Sequence, residues 1–281
     1  MLRVPQDFEA QWAHATVRVP EACVVPYRAT TPVHSARALV TQPTLVLVRT
    51  GTKQLQPQDA QHVLTAEAGS VLAMRSGTHV MSEFQGEDAA YSSLIVAVDR
   101  GFLSQAVGIP QASPGGPRVV VSTPSGHARQ LLERLPEVMA SPLPDIERQF
   151  KLRELLVAVM ADPALRRLLF SEVTDWGRTI EERITSVVTT HGLSPLQVPD
   201  MAGLCAMSLS SFKRHFKGVY GTTPGKWLAK ARLDHAHSMV MGGGASVSQI
   251  SEASGYRDVS AFVRAFRRQF GTTPGSLRRQ R

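Results

Sequence analysis

The last third of this chain contains an internal repeat with a period of about fifty residues. Residues 211–225, SFKRHFKGVYGTTPG, return as residues 261–275, AFVRAFRRQFGTTPG. Both copies place two phenylalanines one helical turn apart, and both end in Gly-Thr-Thr-Pro-Gly. Such a repeat means that one structural unit is used twice, which constrains this region more than its composition does.

The positive charge of the chain is concentrated in the same region. Residues 178–281 carry 15 Lys and Arg against 6 Asp and Glu, whereas residues 1–177 carry 16 against 17. A basic segment beside an almost neutral one indicates that the basic part binds a polyanion. The alternative is a solvated helical surface, although such surfaces usually carry mixed signs.

The second copy is predicted to form two helices joined by a tight turn. Ser246 and Gln249 have the spacing of a capping box at the start of the first helix. Gly255 provides the turn, and Asp258 can cap the second helix, residues 258–270.

The first copy repeats this arrangement, with helices predicted at residues 198–206 and 209–219. Gly-Thr-Thr-Pro then closes one helix and starts another, because Gly suits a helix C-terminus and Pro suits the first helical turn. The connecting helix, residues 225–241, would span roughly 25 Å at about 1.5 Å per residue. It could hold the two basic helices near the roughly 34 Å spacing of successive major grooves.

These residues resemble the DNA-binding domain of the AraC/XylS family of bacterial transcription regulators. The resemblance covers residues 178–281, with one departure at Ser251, where the family usually has Ala. It implies an all-α domain of seven helices, with tandem helix-turn-helix units that read two adjacent major grooves of double-stranded DNA. The residues that carry the resemblance are Met201, Ala202, Met207, Ser208, Phe212, Lys213, Arg214, Phe216, Ile250, Gly255, Tyr256, Phe262, Arg264, Phe266, Phe270, Gly271, Thr273 and Pro274.

Carried over residue by residue, the resemblance implies which side chains face the bases. Lys and Arg can donate to guanine acceptors, whereas Ala and Val can touch thymine methyl groups. We expect the first basic helix and Arg264 to discriminate bases most. The implied base-facing residues are Ser210, Lys213, Arg214, Val259, Ser260, Ala261, Val263 and Arg264. Four further basic residues look like phosphate contacts, namely Lys217, Arg257, Arg267 and Arg268.

Residues 1–172 are predicted to form a separate regulatory and dimerisation domain. Short apolar runs between turn formers favour a β-sandwich or a small β-barrel, and two helical stretches follow. The resembled family often has a cupin-like β-barrel here, followed by helices that dimerise or bind a signal, so the expected fold class is α+β multidomain. The predicted strands are residues 44–49, 61–65, 69–75, 79–84 and 91–98, and the predicted helices are residues 126–139 and 146–161.

The interior of the first domain could hold a small apolar molecule, or it could be filled by its own side chains. We expect no metal or other cofactor, because His62, His79 and Glu83 include no His-x-His pair of the kind that metal-dependent cupins use. We also expect no enzyme, since the chain has no Gly-x-Ser-x-Gly or similar motif. The predicted pocket residues are Val46, Val48, Leu72, Met74, Val80 and Ile95.

The sequence predicts a cytoplasmic protein without a membrane segment. No stretch approaches the 18 or so uninterrupted apolar residues of a membrane span, and the N-terminus lacks the apolar run of a signal peptide. Two cysteines, Cys23 and Cys205, are too few for a disulfide framework.

Together, these features predict a sequence-specific transcription regulator. By resemblance it would activate transcription with RNA polymerase, form a homodimer and respond to a small molecule bound by its N-terminal domain. A protein anti-activator is an alternative effector, because the layout also resembles that of activators of type III secretion genes. The sequence is also compatible with a cupin-type enzyme fused to a DNA-binding module. A non-specific nucleoid binder is conceivable as well, and it would show steep salt dependence but little sequence preference.

Overall fold

The computed structural model describes residues 2–57, 62–84, 90–107, 116–176, 179–193, 196–256 and 258–279. The chain divides into two compact units, Met1–Gly177 and Arg178–Arg281. The first unit combines strands with helices, and the described part of the second unit is helical. This agrees with the α+β multidomain class expected from the sequence.

Within its described residues, the first unit has eleven strands. They are β1 (Leu2–Val4), β2 (Val17–Val19), β3 (Ala22–Ala29), β4 (Val33–Val40), β5 (Thr44–Thr50), β6 (Thr52–Pro57), β7 (Leu64–Glu67), β8 (Val71–Met74), β9 (Gly77–Phe84), β10 (Tyr91–Val98) and β11 (Val119–Ser122). One sheet has the order β1-β4-β9-β6-β7, and the other has the order β11-β8-β5-β10-β3-β2. The pairing is antiparallel except between β1 and β4, which run parallel.

The two sheets pack face to face as a sandwich, and the described residues form no closed barrel. Successive side chains of a strand point to opposite faces, so each central strand serves two cores. On β10, Ile95 packs between the sheets, whereas Leu94 and Val96 pack under helices. Of the two alternatives that the sequence favoured, a β-sandwich or a small β-barrel, the sandwich is therefore confirmed.

The described part of the first unit also has five helices. They are α1 (Gln6–Gln11), α2 (Arg100–Val107), α3 (Gly126–Ala140), α4 (Asp145–Val159) and α5 (Pro163–Trp176). Helices α3, α4 and α5 pack on the outer face of the six-stranded sheet through Leu132, Leu155 and Leu168. The first unit continues through α5, beyond the boundary at residue 172 that the sequence suggests.

A buried ion network ties α5 to the sheet. Glu172 accepts hydrogen bonds from Arg100 Nε at 2.9 Å and from the Ser76 hydroxyl at 2.6 Å, and Arg75 Nε lies 3.4 Å from its other carboxylate oxygen. Arg75 also pairs with Asp175 in the last turn of α5. Burial by itself raises the pKa of Glu172, but the two guanidinium groups and the hydroxyl outweigh it. Its pKa therefore lies below the ordinary value of 4.5.

Seven helices form in the described part of the second unit, as the resemblance implies. They are α6 (Ile180–His191), α7 (Val198–Leu204), α8 (Leu209–Tyr220), α9 (Pro224–Gly242), α10 (Val247–Ala253), α11 (Val259–Phe270) and α12 (Pro274–Arg279). Among the described residues, no helix of the chain is both long and apolar enough to cross a membrane.

The predicted helix bounds need small corrections. The helix predicted at residues 209–219 runs one residue further, and the one predicted at 258–270 begins one residue later, because Asp258 is its cap. The helix predicted at 198–206 ends at Leu204, since Ala206 takes a positive φ of 48° in the turn. That conformation is incompatible with continued α-helix.

Candidate nucleic-acid interface

The helix α8 separates its apolar residues from its basic residues. Phe212 and Phe216 are fully buried, and their rings lie 5.5 Å apart. The basic face comprises Ser210, Lys213, Arg214 and Lys217, and all four are exposed. Their spacing of three and four residues places them on one side of the helix, away from the phenylalanines.

The helix α11 repeats this arrangement. Phe262 and Phe266 are fully buried at a ring distance of 5.7 Å, close to the value in α8. Arg264, Arg267 and Arg268 are exposed on the other side of the helix. The internal sequence repeat is therefore a repeat of local structure.

Caps fix both ends of these helices. The Ser208 hydroxyl accepts the Ser211 N–H at 3.2 Å, and Asp258 accepts the N–H groups of Ser260 and Ala261 at 3.0 and 2.9 Å. At the other ends, Gly221 and Gly271 have φ values of 68° and 74°, which favour glycine. The helices thus begin and end where the sequence pattern requires.

The connecting helix α9 packs against both copies. Near its start, the ring of Trp227 lies 5.2 Å from Tyr220 of α8. Further along, Leu233 and Ala236 belong to the same core as Phe262 and Phe266. The 19 residues of α9 would extend about 28 Å at about 1.5 Å per residue. One continuous helix therefore joins the two basic faces.

Side-chain hydrogen bonds that the sequence did not predict join α9 to α11 and to Leu196. Asp234 accepts a hydrogen bond from Gln269 Nε2 at 2.6 Å and one from Lys230 Nζ at 2.9 Å. Arg232 is buried on α9 and donates to the Leu196 carbonyl oxygen at 2.5 Å. No local sequence pattern predicts the Gln269–Asp234 and Arg232–Leu196 contacts, because their partners lie 35 and 36 residues apart.

Not every predicted contact residue is equally accessible. Val259 and Ser260 are exposed, whereas Ala261 and Val263 are half-buried, and Val263 packs against the core of the second copy. Arg257 lies outside the described residues. The remaining predicted contacts are all exposed on α8 and α11.

Electrostatics distinguish Arg264 from the other basic residues of α11. Its Nη2 lies 3.9 Å from Asp258 Oδ2, and the two side chains are 74% and 61% exposed. Such an exposed pair contributes little to stability. The Arg264 guanidinium is therefore available to another acceptor at little cost.

Most of the residues predicted to line a pocket in the first unit lie instead in its packed core. Five of its residues, Val46, Val48, Leu72, Met74 and Ile95, are buried in the packed core between the sheets. Val80 is half-buried, between the inward residues His79 and Met81 on β9. A cavity of about 560 Å³ in this unit is lined by none of the six.

Comparison with known proteins supports the nucleic-acid interface. A family model described as "Helix-turn-helix domain" matches residues 201–280. The chain is 25% identical to the HTH-type transcriptional regulator ExsA of Pseudomonas aeruginosa over 234 residues, 80% of this chain and 82% of ExsA. It is 30% identical over 138 residues to the virulence regulon transcriptional activator VirF of Yersinia enterocolitica, covering 49% of this chain and 51% of VirF.

Among solved structures, ToxT from Vibrio cholerae aligns with 92% of this chain and 98% of its own, with 12% identity and a TM-score of 0.45. The family assignment depends on the sequence matches instead, which include 42% identity over 81 residues to the activator RclR of Escherichia coli, 29% of this chain and 28% of RclR. Together with the two capped basic helices, these matches support an AraC/XylS family transcriptional regulator, with the family-model match lying in residues 201–280.

Proposed function

We propose that α8 and α11 enter adjacent major grooves on one face of double-stranded DNA. The observation that carries this proposal is the repeated geometry, in which each helix buries its phenylalanines and exposes a basic face. A major groove of B-DNA is about 12 Å wide and admits one α-helix. A shared connecting helix suits two grooves separated by one turn of about 34 Å.

The two kinds of basic residue would have different tasks. Lys213, Arg214 and Arg264 would read bases together with Ser210, Val259 and Ser260, whereas Lys217, Arg267 and Arg268 would hold phosphates. We place Ala261 and Val263 in the same base-facing set, with shorter reach because they are half-buried. Arg257 stays a predicted phosphate contact. Phosphate contacts fix position, and base contacts supply specificity.

Selection from random duplexes, followed by hydroxyl-radical footprinting, tests this proposal. We expect a bipartite site with two protected segments one helical turn apart on one face of the duplex. A single protected segment would contradict the use of two grooves. Binding without a selected sequence would instead favour a non-specific nucleoid protein.

We further propose that the chain activates transcription as a homodimer that contacts RNA polymerase in the cytoplasm and catalyses no reaction. The relative VirF is named an activator, which supports this sign of regulation. Ile146, Phe150 and Val157 on α4 are 58%, 64% and 62% exposed. Their spacing of four and seven residues puts them on one side of that helix, an unusual amount of exposed apolar surface.

A second copy of the chain would cover this side of α4. Phe150→Glu should shift the sedimentation of a dimer towards the monomer, whereas Glu147→Gln on the same helix should not. An unchanged sedimentation coefficient for Phe150→Glu would place the dimer contact elsewhere. A monomer already present before substitution would refute the homodimer.

The first unit would receive the signal, and its cavity favours a small molecule over a protein anti-activator. Ligand binding would shift the population of DNA-binding arrangements. Native mass spectrometry of the expressed chain, compared with its denatured mass, would detect a retained ligand. A stable complex with a second protein that blocks DNA binding would support the anti-activator instead.

A further inference from the structure

A cavity of about 560 Å³ lies within the first unit, where α1 meets β3 and β9. Its volume falls in the range of about 300–1,000 Å³ that is common for small-molecule sites. Phe8 and Trp12 line it from α1 and the residue that follows, and Tyr27 and Glu83 line it from the two strands. The cavity therefore combines aromatic and charged surface.

Three aromatic rings form one wall of this cavity. The rings of Phe8 and Trp12 each lie 4.9 Å from the ring of Tyr27, in edge-to-face arrangements of 73° and 62°. Phe8 and Tyr27 are buried, whereas Trp12 is half-buried. Rings held in this way offer a preformed apolar surface for another ring.

The polar end of the cavity is a buried carboxylate. Glu83 is 1% exposed, accepts the Tyr27 hydroxyl at 2.7 Å and pairs with Lys53 Nζ at 2.5 Å. An ionised carboxylate offers about four acceptor sites, so these two bonds leave capacity for another donor. Burial, and then the charge of Glu83, raise the pKa of both Tyr27 and Tyr91. Both tyrosines therefore remain neutral.

The charged residues that line the cavity, together with Lys53 behind them, carry equal numbers of positive and negative charges. Glu83 is offset by Lys53, which is 2% exposed, and the lining also holds Asp7 and Arg28, which have opposite signs. A charged group placed against Glu83 would bring an uncompensated charge to the buried Glu83–Lys53 pair, which is unfavourable. A neutral ligand with a hydrogen-bond donor meets no such cost. The balance of charges thus selects the class of ligand.

We propose that this cavity binds a neutral aromatic alcohol or phenol. The hydroxyl group donates to Glu83, and the ring packs against Phe8, Trp12 and Tyr27. Only the regulatory consequence of this binding rests on the proposed function, since the binding itself does not depend on DNA.

A matched set of probes tests the ligand class. 3-Phenylpropan-1-ol, 3-phenylpropylammonium and 3-phenylpropanoate have the same skeleton and differ in charge. Isothermal titration of the full-length chain should show the alcohol binding at least about tenfold more tightly than either ion. Preference for either ion, equal binding of all three, or no binding at millimolar concentration would overturn the proposal.

Variants of the wall and of the acceptor locate the site. Trp12→Ala should weaken binding of the alcohol, and Trp12→Phe should retain most of it. Glu83→Gln alone would leave Lys53 buried without its partner, so the acceptor is removed in the double variant Lys53→Met/Glu83→Gln. That variant should lose the preference for the alcohol while keeping a cooperative thermal transition. Unchanged binding in folded Trp12→Ala and in the folded double variant would overturn the assignment of the site.

The consequence for DNA is measured separately, by operator binding with and without the alcohol. A change in operator affinity that disappears in Trp12→Ala supports the effector role. Binding of the alcohol with no change in operator affinity would leave the site standing and refute its role in regulation. Specific operator binding without any alcohol binding would refute the ligand site and leave the proposed DNA-binding function standing.

Discussion

Replacing Arg214 should separate base reading from phosphate binding on α8, if the proposed roles of these residues are correct. The side chain is exposed, and its Nη2 lies 3.4 Å from Nε2 of the adjacent residue, His215. Arg214→Ala therefore removes no buried contact and should change folding stability by less than about 0.5 kcal/mol. Any larger effect on DNA affinity then reports the interface.

A bidentate contact from Arg to guanine discriminates against the wrong base by about 1–3 kcal/mol. Arg214→Ala should thus lower affinity for the preferred operator by about 5- to 150-fold, and should flatten the base preference at one position. Lys217→Ala should instead weaken all sequences alike and reduce the salt slope by about one. Lys230→Ala on α9 removes the same charge from outside the basic face of α8 and serves as the control.

Fluorescence anisotropy with the selected operator and its single-base variants, repeated over a range of salt concentrations, measures both quantities. If Arg214→Ala weakened every sequence equally, with a reduced salt slope, Arg214 would be a phosphate contact. If Lys230→Ala matched its effect, net charge rather than position would explain the loss. Either result would refute the assignment of Arg214 to base reading.

Four further predictions concern stability and spacing. Asp258→Ala removes the acceptor of two N–H groups and should lower the free energy of unfolding of the second unit by about 1 kcal/mol, and Asp258→Ser should restore much of it in urea denaturation. Ala206→Gly relieves the strain of a φ of 48° and should raise the free energy of unfolding, measured in thermal denaturation, by up to about 1 kcal/mol. Gly255→Ala, at a φ of 79°, should lower it. A destabilised Ala206→Gly would contradict the assigned strain. The pKa of Glu172 is lower in the folded state, so the stabilisation of the fold by the ionised carboxylate is present above pH 4.5 and is lost as the pH falls through the folded pKa. Glu172→Gln should lower the free energy of unfolding by about 3 kcal/mol at neutral pH. Calorimetry over a range of pH should also show a weaker acid dependence of stability in this variant. Inserting about five base pairs, half a turn, between the two halves of the selected operator should abolish binding through one half in gel-shift titrations.

The second unit could be predicted closely because its signals are local. Ser208 and Asp258 cap the two basic helices, and Gly221 and Gly271 end them, so the helix bounds were correct to within one residue. The roles of individual DNA contacts stay predictions. Half-burial of Val263 could not be foreseen, since it depends on which neighbours pack against α11.

The first unit could be predicted less well because its strands serve two cores. The prediction for β10 gave both ends correctly, and β5 was found to within one residue. In contrast, β3 was missed, since it is buried on both faces and contains Pro26, which weakens a strand pattern. The strand predicted at residues 61–65 was displaced relative to β7, and residue 61 lies outside the described residues.

The candidate ligand site could not be predicted for a related reason. Lys53 and Glu83 belong to different strands of one sheet, paired across β6 and β9, and they are 30 residues apart in sequence. A pattern of alternating apolar residues marks the interior of a sandwich but says nothing of a buried ion pair within it. The predicted pocket followed the apolar residues, and these fill the core between the sheets.

The two copies of the repeat are equal in their cores and unequal in their exposed faces. Ring distances within the phenylalanine pairs differ by little, at 5.5 and 5.7 Å, because each pair must fill the same kind of helix junction. In contrast, Lys213 of α8 corresponds to the half-buried Val263 of α11. Because α9 packs on both copies, α8 and α11 are held at a fixed spacing, and neither would need high DNA affinity of its own to bind in register. In the proposed complex, the basic helix α8 would therefore supply most of the base discrimination, while α11 would add Arg264 and two phosphate contacts at a fixed distance.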